Sequence, residues 1–438
     1  MVSAWKEELL SSILEVGRGI SYGIVQPGEN RGNGIPIVRV NAVRDGQIDT
    51  SAPLRVAPEI ESAYERTRLR GGELLLTLVG TVGEAAEVPL HLAGWNVARA
   101  IAVIPVRSEV GARWVRYILR TQKVRHLIDS WCNTTVQKTL NLKDVARIPV
   151  PLPPPATRQA ILEVVGSLDD KIDMNRRMNQ ALELMAQALF RSWFVDFDPV
   201  RAKTEGRQPE GMDAETAALF PAAMDSSDGG LLPLGWRRVT LDSSIEILTG
   251  GTPRTAESSF WGGEIPWFSV KDAPADGDIW VVSTEKTITD SGLENCAAEL
   301  LPVGTTIITA RGTVGKLALT AVPMAMNQSC YGVRGRIQGT DAFTYYLLKN
   351  AVGDLRARTH GTVFETITRQ TFSAIPVSLA PIEVRQRFDT VVEPMLKRVK
   401  ANLLESKTLA ELRDTLLPKL LSGEVRVGEA EAEWVASD

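Results

Sequence analysis

The chain has 438 residues, a length that predicts two or three domains at about 150 residues per domain and excludes a single small module. Hydrophobic residues make up 44% and charged residues 23% of the sequence, which excludes an intrinsically disordered chain. The formal net charge is -4, so the total charge gives no indication of a nucleic-acid partner.

No part of the sequence has the composition of an export signal or a membrane span. Charged side chains interrupt the first 17 residues, and no apolar run approaches the length of about 18 residues that a spanning helix needs. The cysteines, Cys132, Cys296 and Cys330, are odd in number and widely spaced, which argues against a disulfide framework. We therefore expect a cytoplasmic protein that makes no membrane contact.

The first 155 residues predict a mixed domain of strands and helices. Apolar runs at 35–40, 73–79 and 100–106, separated by Gly and Pro, are typical of strands, and residues 115–128 favour a helix. A proline-rich stretch ends this domain, which we assign to residues 1–155.

A long helix is predicted over residues 156–197. Its heptad positions are Ile161, Leu168, Asn175, Leu182 and Leu189. Sustained heptads are typical of helices that pack along a second helix. After this helix, residues 198–235 are rich in Pro, Gly, Ser and Asp and predict a linker on the surface.

The second half of the chain repeats the first at a shift of about 230 residues. The segment GELLLTLVGTVG at 72–83 matches GTTIITARGTVG at 304–315, and the same alignment pairs Asn96 with Asn327. The repeat predicts a second mixed domain at 236–380. Its predicted elements are strands at 265–270, 305–310 and 331–333 and a helix at 342–355.

A second heptad series predicts a long helix over residues 381–423. Its heptad positions are Phe388, Met395, Asn402, Leu409 and Leu416. Because the two helices belong to equivalent repeats, we expect them to pair antiparallel about a pseudo-twofold axis. The residues predicted to form this pairing are Leu168, Leu182, Met395 and Leu409, with Asn175 beside Asn402. Two solvated asparagines on separate helices are the alternative. Pro394 predicts a kink or a break, and an acidic tail follows at 424–438.

The sequence lacks the motifs of several enzyme classes. It contains no Walker motif, glycine-rich dinucleotide turn, HExxH, CxxC or GxSxG, and no catalytic tetrapeptide of the adenine or cytosine methyltransferases. The GTVG segments at 80–83 and 312–315 are therefore predicted to be structural turns. We expect a binding protein that has no catalytic residue, metal or cofactor of its own.

Several motifs resemble the specificity subunits of type I restriction-modification systems. They are LDDKIDMNRRMNQALELMAQALFRSWFVDFDPV at 168–200, GGTP at 250–253 and the paired GTVG turns. The resemblance covers essentially the whole chain and implies an α+β fold of two tandem repeats. Each repeat would be a mixed α/β target-recognition domain followed by a long helix, and the two helices would pair as an antiparallel coiled coil.

The resemblance also implies a set of partners. In such systems the specificity subunit reads a bipartite target on double-stranded DNA, one half through each domain, while the helices set the gap between the halves. Two methyltransferase subunits use S-adenosylmethionine to methylate adenine at N6, and motor-nuclease subunits use ATP and Mg. These cofactors would bind to the partner subunits and not to this chain.

The charge divides unevenly along the repeat. Residues 1–155 carry 19 basic and 15 acidic side chains, whereas residues 230–380 carry 13 and 14. Protein–DNA contacts need only a local basic patch, so a negative total charge does not exclude them. The residues that we predict to contact DNA lie in loops near strand ends: Arg18, Tyr22, Arg31, Arg39, Asn41, Arg44, Thr252, Arg254, Ser269, Lys271, Arg311 and Thr313.

An aromatic cluster ends the first long helix. Its members are Phe190, Trp193, Phe194 and Phe197. The cluster is either domain core or an interface that anchors a methyltransferase subunit.

Two other functions compete with DNA recognition. One is a repeat scaffold whose two modules bind protein or carbohydrate. The other is an enzyme with an unrecognised active site, which has little support from individual residues.

Overall fold

The computed structural model describes residues 5–132, 138–226, 230–274, 278–358 and 366–425. The chain divides into two compact units, residues 1–170 with 409–438 and residues 171–408. Each unit therefore contains one mixed domain and a part of both long helices. Most of the predicted acidic tail, from residue 426 onward, lies outside the described residues.

The first unit contains two main sheets. One has four antiparallel strands in the order Ser21–Tyr22, Ile101–Ile104, Leu74–Thr77 and Ala85–Glu87. The other has three strands, in the order Leu54–Val56, Ile35–Val38 and Asn96–Val97, and its last pair is parallel. Two-stranded ladders join Lys6–Leu9 to Pro149–Leu152 and Val43–Arg44 to Gln47–Ile48.

Both faces of the four-stranded sheet are buried. Successive side chains of a strand point to opposite faces. Leu74 and Leu76 join a core that includes Trp114 and Tyr117, whereas Leu75 joins a second core on the other face. The near-continuous apolar run at 73–79 in the sequence is explained by this two-sided burial.

The predicted helix at 115–128 is two helices, so that prediction is corrected. They span Ala112–Arg120 and Gln122–Trp131. Thr121, between them, has extended backbone angles, and its hydroxyl accepts the Val124 N–H at 3.4 Å. A threonine in this geometry begins a new helix.

Shorter helices of this unit span Pro58–Glu61 and Leu142–Ala146, and 3-10 turns span Leu10–Ile13, Val40–Ala42, Ser62–Thr67 and Leu90–Leu92.

The second unit repeats this plan with longer strands. Its five-stranded sheet has the order Ile245–Thr249, Cys330–Gly335, Thr306–Thr309, Leu317–Thr320 and Trp280–Val281. Its three-stranded sheet has the order Lys286–Ile288, Trp261–Phe268 and Ala325–Met326, again with a parallel last pair. A ladder joins Arg237–Thr240 to Pro376–Leu379. The main helix is Asp341–Ala357, with shorter helices at Leu241–Ser244, Asp290–Glu294 and Arg369–Ser373 and 3-10 turns at Ser258–Phe260 and Val270–Asp272.

The described residues of the segment at 198–235, which are 198–226 and 230–235, are folded, and this corrects the prediction of a surface linker. It forms helices Asp198–Thr204 and Ala214–Ala218 and a ladder between Met224–Asp225 and Leu232–Pro233. Val200, Phe220 and Leu232 are buried in the core of the second unit. Its turn-forming composition therefore reflects short elements and not a mobile connection.

The two long helices span Pro155–Phe194 and Ile382–Ser422. The second helix is continuous through Pro394, so a break there is excluded, and the kink given as its alternative stays a prediction. Within the second unit the helices pair antiparallel, since Lys171 lies 3.2 Å from Glu405 while Asn179 accepts a hydrogen bond from Asn402. The predicted fold class is confirmed. None of the helices in the described residues is both long and apolar enough to cross a membrane.

Candidate functional site

Three chain segments meet at one edge of the first unit. Ile35–Val38 and Asn96–Val97 run parallel, so the residues that follow them lie at the same end of the sheet. The Ala98 N–H donates to the Val38 carbonyl at 2.9 Å. The third segment joins through Ile24, whose N–H donates to Val97 at 2.8 Å and whose carbonyl accepts the Arg99 N–H at 2.9 Å.

The second unit builds the same edge. The Asn327 N–H donates to the Phe268 carbonyl at 2.9 Å, and the Gly251 N–H donates to Met326 at 2.9 Å. In this bonding pattern Val38 is equivalent to Phe268, Ala98 to Asn327 and Ile24 to Gly251. We call these two places the loop edges. The first comprises residues 22–25, 38–41 and 97–99, and the second comprises residues 249–252, 268–271 and 326–328.

Each loop edge needs a glycine. A Cβ atom on Gly23 would lie 1.8 Å from the Val97 carbonyl oxygen, and one on Gly250 would lie 2.0 Å from that of Asn327. No side chain fits at such distances, so glycine allows the first loop to pack against the end of the parallel pair.

The predicted pairing of Asn96 with Asn327 is wrong by two residues. The backbone bonds place Ala98 opposite Asn327. Asn96 is fully buried, and its side chain donates to Glu61 at 2.9 Å and accepts from Thr67 at 2.8 Å. Asn96 therefore has a structural role, whereas Asn327 is half-buried at the loop edge.

A 3-10 turn follows the central strand in both units. Arg39 precedes Val40–Ala42, and both Arg39 and Asn41 are exposed. Ser269 precedes Val270–Asp272, and its hydroxyl donates to the Asp272 carboxylate at 2.8 Å. Four predicted DNA contacts, Arg39, Asn41, Ser269 and Lys271, thus occupy two pairs of equivalent positions.

A shallow cavity of about 290 Å³ opens beside this turn in the second unit. Its lining residues are Trp267, Ser269, Val270, Lys271, Glu285, Lys286 and Asn327. Lys271 lies 3.8 Å from Glu285, and both side chains are exposed, so this pair binds weakly and leaves the lysine free to meet a phosphate.

The GTVG turns adjoin the loop edges. The Leu78 N–H donates to Ala100 at 2.7 Å, and the Ala310 N–H donates to Ser329 at 2.8 Å. These bonds place Arg311, and the turn that carries Thr313, beside the segment at 327–329. Both Arg311 and Thr313 are exposed.

The two turns have the same internal hydrogen bonds. The hydroxyls of Thr77 and Thr309 donate to the carbonyls of Thr81 and Thr313. They also accept the N–H of Glu84 at 3.0 Å and of Lys316 at 2.9 Å. These hydrogen bonds agree with the prediction that the GTVG segments are structural turns.

Of the six remaining predicted contacts, two lie in the loop edges and four lie outside them. Arg18 forms ion pairs with Glu15 at 2.9 Å and with the buried Glu73 at 2.8 Å, which ties its guanidinium to the fold. Arg31 lies at the amino end of the strand Ile35–Val38, away from the loop edge. Tyr22 lies in the first edge. Arg44 lies on the hairpin that follows Asn41, and Thr252 and Arg254 lie on the loop after Gly250.

The model of the type I restriction modification DNA specificity domain matches residues 3–184 and 233–412. The chain belongs to this family. A type I restriction enzyme HindI specificity subunit of Haemophilus influenzae is 29% identical over 348 residues, which cover 70% of this chain and 74% of that protein. The MjaIX specificity subunit of Methanocaldococcus jannaschii is 24% identical and covers 84% of this chain and 82% of its own length. These relatives identify the chain as a DNA sequence-specificity subunit and give no support to a protein-binding or carbohydrate-binding scaffold.

A solved structure supports the fold of this specificity subunit. The S subunit of a type I restriction-modification system from M. genitalium matches with a TM-score of 0.51 and 13% identity, and the match covers 95% of this chain and 96% of that one.

Sequence reasoning missed two exposed residues of the specificity subunit. Arg99 and Gln328 follow Ala98 and Asn327 and therefore occupy equivalent places at the two loop edges. The repeat itself could have shown that Arg99 and Gln328 are equivalent. Pairing Asn96 with Asn327 shifted the comparison by two residues and so hid that equivalence.

The aromatic cluster is domain core, which is one of the two alternatives that the sequence left open, and it is not a partner interface. Phe190, Trp193, Phe194 and Phe197 are 3 to 9% exposed in the specificity subunit. Phe194 packs edge-on against Phe343 with ring centroids 4.9 Å apart. Side chains buried within their own unit have no surface with which to hold another protein.

The four apolar residues predicted to pair the long helices are all at least partly buried. Leu168 belongs to one core, on which Leu409 packs, and Leu182 and Met395 pack on another. The Asn175 side-chain amide lies 3.5 Å from the Asn402 carbonyl oxygen and donates to Glu405 at 2.8 Å. The two asparagines thus lie next to each other, and both are 1% exposed.

A buried ionic network joins the two helices in the first unit. Asp169 accepts hydrogen bonds from Arg116 at 2.7 Å, Tyr117 at 2.7 Å and Arg413 at 2.6 Å. Burial alone would raise the pKa of the Asp169 carboxyl, but the two guanidinium groups and the phenol hold that pKa below its usual value.

Proposed function

We propose that this specificity subunit reads a two-part target on double-stranded DNA, with one loop edge contacting each half-site. The observation that carries this proposal is the duplication of the loop edge, which the sequence builds twice from the same three segments with the same backbone hydrogen bonds. The chain belongs to a family of DNA specificity domains, and its two equivalent loop edges would let it contact a duplex at two places in the same way.

The exposed side chains at these edges, and in the turn that adjoins the second edge, suit DNA. Arg39, Asn41 and Arg99 in the first unit and Lys271, Gln328 and Arg311 in the second are all exposed. Arginine and the carboxamides pair with base edges in two-bonded geometry, and lysine pairs with phosphate as a point charge.

We further propose that the long helices set the distance between the half-sites. A helix of 40 residues is about 60 Å long, at a rise of about 1.5 Å per residue. One turn of DNA spans about 34 Å, so helix length limits the number of base pairs between the two halves.

The catalytic steps belong, in this proposal, to other chains in the cytoplasm. Two methyltransferase subunits would hold S-adenosylmethionine, and motor-nuclease subunits would hold ATP and Mg. In the described residues no group of three or more His, Cys, Asp or Glu side chains is arranged to hold a metal ion.

The proposal is tested by co-expressing the chain with its methyltransferase subunit and mapping N6-methyladenine on random-sequence DNA. We expect methylation at one two-part motif with a fixed gap. The methyltransferase subunit alone is the control and should give no such motif. Loss of all DNA binding by the assembled complex would refute the proposal.

A further inference from the structure

We infer that one equivalent position in each unit takes part in selecting a base, and that this position is Arg99 in the first unit and Gln328 in the second. Arg99 would select guanine and Gln328 would select adenine. The inference rests on the proposed function and names the residues that determine its specificity.

The backbone makes the two positions equivalent. Arg99 follows Ala98 and Gln328 follows Asn327, and those preceding residues donate to Val38 and Phe268, both at 2.9 Å. The chain then turns in the same way in both units. The Ile101 N–H donates to Ala98 at 3.0 Å, and the Cys330 N–H donates to Asn327 at 3.3 Å.

Each position has a different neighbour on the first loop. Because Ile24 is equivalent to Gly251, the next residues, Val25 and Thr252, are also equivalent. The Thr252 hydroxyl donates to the Gln328 side-chain oxygen. Val25 is 38% exposed and has no side-chain group that could hold Arg99 in this way.

The bond from Thr252 leaves Gln328 prepared for adenine. Its Oε1 keeps a second lone pair, and within the described residues its Nε2 donates no hydrogen bond to the protein. A carboxamide with one acceptor and one donor free matches the N6 amino group and N7 of adenine. Holding the carboxamide before binding also reduces the entropy cost of the contact.

Arg99 presents the complementary case. Its exposed guanidinium has no ion pair or hydrogen bond to any described side chain. Two parallel N–H groups match O6 and N7 of guanine.

The 3-10 turns are less suited to choosing a base in the second unit. The Ser269 hydroxyl donates to Asp272, and Lys271 carries a point charge that suits a phosphate. Gln328 is therefore the exposed side chain of that loop edge that Thr252 holds in place and that can still offer a base one donor and one acceptor.

The test exchanges the two side chains in the complex with the methyltransferase subunit. Arg99→Gln and Gln328→Arg are each scored by the sequence logo of methylated sites. We expect each variant to change the preferred base at one position of one half-site, with the other half-site unchanged. The preference for the original base should fall about 5- to 150-fold, the strength of one two-bonded base contact.

Two further variants sharpen the test. Thr252→Val should weaken the adenine preference at the position that Gln328→Arg changes, without selecting a new base. Lys271→Met is the matched control, because it removes the charge without adding a hydrogen-bonding group, and it should weaken binding equally on all sequences. All four side chains are at least partly exposed, and unchanged melting temperatures will show that the variants fold.

An unchanged logo in both Arg99→Gln and Gln328→Arg, with binding weakened equally on all sequences, would overturn the inference, because these residues would then contact only phosphate. That result would leave the two-part motif of the wild-type chain intact. Absence of that motif in the wild-type chain would instead refute the proposed function.

Discussion

Replacing Asp169 by Asn should destabilise the first unit strongly. The substitution keeps the shape of the side chain and removes the negative charge between Arg116 and Arg413, whose side chains are 9% and 7% exposed. Removing one partner of a buried ion pair costs about 3–5 kcal/mol. Arg413 retains a hydrogen bond to Asp414 at 2.8 Å, so we expect a loss near the lower limit, about 3 kcal/mol.

The neighbouring residue provides a matched control. Asp170 pairs with Arg113 at 2.6 Å but is 68% exposed, and an exposed ion pair contributes about 0.2–1 kcal/mol. Urea unfolding of the full chain, followed by circular dichroism, compares Asp169→Asn with Asp170→Asn. Equal losses in the two variants would show that the buried network does not stabilise the fold as argued.

The pH dependence of the same variant gives a second check. The pKa of Asp169 is lower in the folded chain than in the unfolded chain, so the unfolded chain binds the proton first on acidification. The stability from this carboxylate is complete above its unfolded pKa of about 3.9 and is lost as the pH falls through the folded value. Asp169→Asn should therefore show a smaller loss of stability at acid pH than the wild-type chain.

Three further predictions follow from buried groups in the second unit. Asn402→Leu removes the donor that satisfies the Asn179 side-chain oxygen at 2.9 Å and should cost about 1–3 kcal/mol in urea unfolding, whereas exposed Leu404→Ala should change little. Phe194→Ala should cost about 3–5 kcal/mol, and an unchanged melting temperature would restore the idea of a surface anchor. Burial raises the pKa of the Asp389 carboxyl to about 7, although hydrogen bonds from the N–H groups of Ala342 and Phe343 oppose the shift. The stability that this carboxyl contributes should therefore be full below its unfolded pKa and should be lost as the pH rises through 7. Asp389→Asn should flatten that fall, and a wild-type curve that is flat between pH 5 and 8 would contradict it.

The repeat and the long helices could be predicted because their signals are periodic. Heptads need only the spacing of apolar residues, and the buried residues Ile161, Val165 and Leu168 follow that spacing. The strand at 73–79 could be predicted because burial on both faces leaves a continuous apolar run.

The segment at 198–235 shows where composition misleads. Its Pro, Gly and Ser residues form turns between short elements, while a few separated apolar residues, among them Phe220, enter the core. No periodic pattern marks such a segment. The helix break at Thr121 was missed for a related reason, because apolar residues occur on both sides of the capping threonine.

The register at the loop edges depended on contacts that sequence spacing does not record. The strand Asn96–Val97 has only two residues, and its parallel partner lies almost 60 residues earlier. Because Asn96 and Asn327 are the same residue type, the sequence comparison paired them, although backbone hydrogen bonds make Asn327 equivalent to Ala98. An error of two residues preserves the strand face but changes which side chain reaches the end of the sheet.

The hydrogen bonds inside the GTVG turns have a consequence for the side chains beside them. The backbone is fixed by Thr77 or Thr309 and by glycines, and Gly83 and Gly315 both have positive φ angles. The residue that follows each turn is Glu84 in one unit and Lys316 in the other, so one backbone supports opposite charges. The backbone of these turns therefore does not depend on the charge of the side chain that follows them. The stability of the turn and the charge carried beside it are thus separate traits of the sequence.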